Sequence, residues 1–150
     1  MKYFDPRAIL FARHAQHIVL VHFPIALLIT SLVFDVWAQC GGRQALAMAG
    51  KFNLYAAAWT APLAAATGLL AWRWQLEGAK LKGALLLHLC GASIVLVLSC
   101  GLAWFRARTH LQDEVRLPWG YFAVAAVTVA IVALTAHLGG IISGVAAPGG

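Results

Sequence analysis

Charge is what this chain has least of. Among its 150 residues only five are Asp or Glu, and all charged residues together make up 11%, against about 25% in an ordinary soluble domain. Hydrophobic residues reach 62%, where about 45–50% is usual. A chain so composed cannot clothe a globule in polar side chains, which excludes a separate water-soluble catalytic domain. Cysteine is sparse as well. Cys40, Cys90 and Cys100 are too scattered for a disulfide framework, and the missing Cys-x-x-Cys-His motif rules out covalent c-type haem attachment. The net charge of +6 comes from Lys and Arg in tails and loops. No basic stripe is interleaved with exposed aromatics, so the charge points to membrane flanks and not to nucleic acid.

What is present is four long apolar runs, at about 17–39, 53–72, 83–105 and 119–143. A helix needs roughly 20 apolar residues to cross a bilayer, so four crossings use most of the chain, and residues 1–150 form a single domain. The short connections make consecutive helices antiparallel neighbours. The expected fold is all-α: a four-transmembrane-helix up-down-up-down bundle, preceded by a short interfacial N-terminal segment containing Arg7 and Arg13 among Ile9, Leu10 and Phe11. The first run is too long for a signal-peptide core, and Gln39 before Cys40 makes a poor lipoprotein site, so this span is expected to stay. Small residues spaced by four, as in Ala57, Ala61 and Ala65, allow close helix approach.

Orientation follows the Lys/Arg balance. Lys2, Arg7, Arg13, Arg73, Lys80 and Lys82 fall on one side, and Arg43, Lys51, Arg106, Arg108 and Arg116 on the other. The excess of one residue favours a cytoplasmic N-terminus. Asp35, beside Trp37 at the far end of the first span, reads as a solvated helix-end residue, and Arg106 reads as part of a solvated loop. A faint repeat pairs Val21-His22 with Leu87-His88 and Thr67-Gly68 with Thr135-Ala136.

The histidines carry the functional information. His22 lies one turn into the first span, His88 one turn into the third, and His137 near the end of the fourth. In an up-down-up-down bundle these positions share one side of the membrane, with His17 joining from nearer the interface. Ionisable groups inside a span are costly and are candidates for function; equally, each could hydrogen-bond a carbonyl and hold helices together. Histidine is the usual axial ligand of b-type haem. Bare metal sites usually recruit a carboxylate or thiolate, and this layer offers neither, which favours haem. Small neighbours (Ala26, Gly91, Ala92, Gly140) leave room. Diagonal helices give the wider gap a bis-histidine haem needs, so His22 and His88 are the preferred axial pair for the haem iron, with His137 as alternative ligand or quinone contact. Arg13 and Arg73 could meet the propionates or simply snorkel to headgroups.

The run Val21-His22-Phe23-Pro24-Ile25-Ala26-Leu27, five residues after His17, resembles the opening signature of a bacterial membrane family catalogued as domain of unknown function 2231. Thr67-Gly68, His88 and His137-Leu138-Gly139-Gly140 fit the same pattern across nearly the whole chain, although the family often has His-Pro where this chain has His17-Ile18. The resemblance implies a four-helix module of the bacterial inner membrane, sometimes joined to Rieske or cytochrome c modules, and hence electron transfer. The expected function is a b-type cytochrome-like subunit, binding one haem b and exchanging electrons within a respiratory complex or with quinone, more an electron-transfer subunit than a self-contained enzyme. Its partners would be the lipid bilayer and other membrane or redox subunits. The rival expectations are a cofactor-free anchor or assembly subunit of a redox complex, and a histidine-based metal or proton carrier.

Overall fold

The computed structural model describes residues 13–74, 76–108 and 116–144, with side chains from residue 16 onward. Within them run four helices: α1 (Arg13–Gly41), α2 (Gln44–Trp74), α3 (Ala84–Arg108) and α4 (Trp119–Ile142). Each is long and apolar enough to cross a membrane. Their outer faces carry bare apolar side chains, with Val97 69% and Leu134 66% exposed, a surface that lipid tolerates and water does not. Arg43 sits over the Trp37 ring and Arg108 over that of Trp104, at 5.7 and 5.2 Å. These aromatic–cation pairs are suited to the headgroup level.

The connections explain the antiparallel order. α1 is followed by Gly42, whose φ of +63° is open to glycine, and the Gly42 N–H closes the helix on the Ala38 carbonyl at 2.8 Å. Only Gly42 and Arg43 separate α1 from α2. α2 therefore begins at Gln44, well before the apolar run that starts at Asn53. The run marks the stretch that lipid can bury, whereas the backbone bonds that define a helix continue past Lys51 and Asn53. Asn53 is accommodated because its Nδ2 donates to Thr30 Oγ1 on α1 at 3.0 Å. Before α4, Pro118 has no N–H to lose and holds an extended conformation at the N-cap (φ −66°, ψ 145°). Gln39 at the end of α1 clamps the preceding backbone from both directions: its Nε2 donates to the Leu117 carbonyl, and the Leu117 N–H donates to its Oε1.

α1 packs most extensively on α2, and α3 on α4; contacts between α2 and α3 and between α1 and α4 close the ring. α1 and α3 are thus diagonal, as are α2 and α4. The core between them includes Leu28, Leu54, Ala57, Val95, Leu102 and Val132. Packing is uneven along the axis. The buried positions stop at Pro24, Ala64, Val95 and Thr135, and no described residue is buried beyond them toward the start of α1, end of α2, start of α3 and end of α4. The bundle is tight at one end and loose at the other.

Candidate functional site

The tight end is built around a charge. Asp35 on α1 and Arg106 on α3 are 1% and 4% exposed. Arg106 Nη1 donates to Asp35 Oδ1 at 2.6 Å and Nη2 to the Ala47 carbonyl of α2 at 3.2 Å. The Tyr121 hydroxyl of α4 donates to Asp35 Oδ2 at 2.8 Å, while its ring stacks on Phe105 at 6.1 Å. One carboxylate thus ties all four helices. The expectation of a solvated Asp35 and a loop-borne Arg106 is corrected here. A charge inside lipid must be paired, and α3 continues to Arg108, which keeps Arg106 on the inward face. Gly50 makes the arrangement fit, because a Cβ there would overlap Asp35 Oδ1 and approach the Ser31 carbonyl at 3.2 Å. Ser31 Oγ donates to the Gly50 carbonyl at 2.8 Å, closing α1 on α2 at the same level.

The loose end holds the histidines, and they divide into two kinds. His22 and His137 are exposed, on the outward faces of α1 and α4. The His22 Nδ1–H donates to the carbonyl of Ile18 in its own helix at 2.5 Å. His17 and His88 are half-buried on inward faces. His88 Nδ1–H donates across to the Thr135 carbonyl of α4 at 2.9 Å. His17 Nδ1 lies 3.2 Å from Thr67 Oγ1 of α2. Thr67 Oγ1 also lies 3.1 and 2.9 Å from the carbonyls of Leu63 and Ala64 in its own helix. In His88 the lone pair consequently resides on Nε2. A glycine faces each ring: a Cβ on Gly68 would stand 2.9 Å from His17 Cε1, and one on Gly139 3.1 Å from His88 Cε1.

The structure therefore brings His17 and His88 inward and does not bring His22 or His137 with them. Arg73, Lys80 and Lys82 are exposed at the same end, and the Arg13 side chain lies outside the described residues, as does His110. Cys90 is exposed. Among the described residues, no three His, Cys, Asp or Glu gather closely enough to hold a metal ion. The inward face of α1 could have been read from the sequence: His17, Pro24, Leu28, Ser31 and Asp35 recur at helical spacing.

Four lipid-length helices, ringed around a buried ion pair at one end and histidines at the other, define a multi-pass membrane protein. The chain belongs to the family of predicted membrane proteins DUF2231, whose model matches residues 13–145. Neither the curated proteins nor the solved structures contain a match.

Proposed function

We propose that this protein is a b-type cytochrome-like subunit of the bacterial inner membrane, holding haem b among its histidines and passing electrons within a respiratory complex or to and from quinone. The observation that carries the reading is the anchoring of His88 Nδ1–H by the Thr135 carbonyl. Ligand histidines characteristically donate one ring N–H to a carbonyl, which fixes the ring and leaves the other nitrogen for the metal. His17 Nδ1 in turn lies within hydrogen-bond reach of Thr67 Oγ1. The donor set also suits haem, because two nitrogens suffice when a porphyrin supplies the other four, whereas a bare ion needs the third ligand that the described residues do not gather.

Bound haem would supply a one-electron ferric/ferrous couple. The chain's own part would be to orient the imidazoles, while Arg73, Lys80 and Lys82, exposed at the same end, would be available to pair with the propionates. The test is a hemin titration of the full-length protein in detergent, followed by a reduced-minus-oxidised spectrum. Saturable uptake with b-type bands is expected; a protein that takes up no hemin refutes the reading. A second reading, a cofactor-free anchor for a larger redox complex, draws on the Asp35–Arg106–Tyr121 cluster, which holds the bundle together without any ligand.

A further inference from the structure

Asp35 meets Arg106 and Tyr121 by hydrogen bonds and the Gly50 backbone by close approach, so these four residues, one per helix, occupy one level. Two come from the hairpin α1–α2 and two from the hairpin α3–α4, and they correspond. Asp35 and Arg106 are seventy-one residues apart, as are Gly50 and Tyr121. The same shift carries the buried Gly50, Leu54, Ala57, Ala61 and Ala64 of α2 onto the buried Tyr121, Ala125, Thr128, Val132 and Thr135 of α4. From Ala92 to Arg108 every residue is buried, half-buried or exposed as its counterpart in α1 is, except Gly101. The hairpins are two copies of one unit, related by a pseudo-twofold axis along the membrane normal. This register corrects the repeat expected from sequence: His88 corresponds to His17 and not to His22, and Thr67-Gly68 to Leu138-Gly139.

Identical halves on such an axis would set like against like, and these do the opposite. In the ion-pair layer the acid Asp35 faces the base Arg106, and Gly50, with no side chain, stands across from Tyr121. One turn deeper, at equal rise from that layer, the buried Ser31 stands across from Leu102 and Leu54 across from Ala125. A turn beyond, Leu28 stands across from Ser99. At each of these positions a large side chain meets a small one, or an acid meets a base. Two first hairpins placed on the axis would bury a pair of aspartates and leave the space of Tyr121 empty. Two second hairpins would bury a pair of guanidiniums and crowd two tyrosine rings into one layer. Uncompensated charges of this kind are costly in a lipid-embedded core. Membrane orientation gives no protection against such pairings, because an axis along the normal leaves both hairpins the same way up.

We infer that the inner face of each hairpin is an association surface for a hairpin of opposite charge, and that the signs at residues 35 and 106 choose the partner, first hairpin with second. The tether between Trp74 and Ala84 then makes that partner the chain's own, since a linked partner is present at high effective concentration. Selection by unlike charge and unlike size keeps neighbouring copies of a very apolar chain from pairing through like halves.

The experiment co-expresses full-length chains under two affinity tags and reads co-purification and thermal melting in detergent. Asp35→Arg gives a chain with two bases in the layer, and Arg106→Asp a chain with two acids. Each alone melts well below the unsubstituted protein. Expressed together, the two exchange hairpins, co-purify and regain most of the lost melting temperature, because every acid then meets a base. Unsubstituted chains under the two tags do not co-purify. Within one chain, Asp35→Arg, Gly50→Tyr, Arg106→Asp and Tyr121→Gly combined rotate the layer half a turn about the axis, and this variant melts closer to the unsubstituted protein than Asp35→Arg does. Co-expressed variants that melt no higher than either alone overturn the inference, as does a rotated layer no more stable than Asp35→Arg. Equal co-purification of the unsubstituted chains places the association on the outer faces of the bundle and overturns it too.

Discussion

Arg106 on α3 reaches Asp35 on the diagonally opposite α1 at 2.6 Å. Both side chains are withdrawn from solvent, and the contact crosses the centre of the bundle instead of running along its surface. Removing one partner leaves the other charged and unpaired in a low-dielectric interior. Asp35→Ala or Arg106→Ala should each destabilise the protein by about 3–5 kcal/mol, measured by chemical unfolding in detergent. Replacing both at once with apolar residues of similar volume, Asp35→Leu with Arg106→Met, should recover most of that loss. A double variant as unstable as the sum of the singles would show that the cluster does more than satisfy its own charges.

Tyr121→Phe separates the hydroxyl from the ring. The stacking on Phe105 persists, while the hydrogen bond to Asp35 Oδ2 goes. A loss of about 1.5–3 kcal/mol is expected for a bond to a charged group. Tyr121→Ala should cost distinctly more, since it removes the buried ring as well, and equal losses in the two variants would contradict this division.

The glycines make opposite predictions according to what faces them. A Cβ at Gly91 would overlap Thr135 Oγ1, so Gly91→Ala should destabilise by about 1–3 kcal/mol. Thr135→Ala in the same chain should relieve the clash, and Thr135→Val, which keeps an atom at the Oγ1 position, should not. Gly101, also on α3, has nothing within 4 Å of a built Cβ. Gly101→Ala should stabilise by up to about 1 kcal/mol through helix propensity alone. Thermal melts of the four variants decide it.

Gly50→Ala tests the linkage between close packing and the buried charge. Its methyl would collide with Asp35 Oδ1, so the variant should be destabilised alone and much less so in an Asp35→Ala background. Equal effects in the two backgrounds would mean that the Ser31 carbonyl, and not the carboxylate, sets the close approach.

Much of the fold was legible because lipid imposes a simple rule: runs of roughly 20 apolar residues become spans, and short loops make neighbours antiparallel. The start of α2 was not legible, since hydropathy registers what lipid covers while Gln44 and Lys51 belong to a helix that outruns its apolar stretch. Asp35 and Arg106 escaped for a different reason. Each stands near the end of its own apolar run, where a charge ordinarily reaches the headgroups, and only matching depths between α1 and α3 shows that they meet. The histidines were legible as a level and not as a direction. Sequence distance put His22 and His88 one turn into their spans, but the helical face, readable in steps of three and four from Asp35, puts His17 inside and His22 outside.

The uneven packing of the bundle has a mechanical consequence. Hydrogen bonds from Asp35, Arg106, Tyr121, Gln39 and Ser31 cinch one rim like a drawstring, so thermal spreading of the helices must concentrate at the opposite mouth. There the hairpins are stapled internally by His17 and His88, which lets each move as a stiff jaw. A flat guest slipping in from that mouth would part the jaws without loosening the knot at their base.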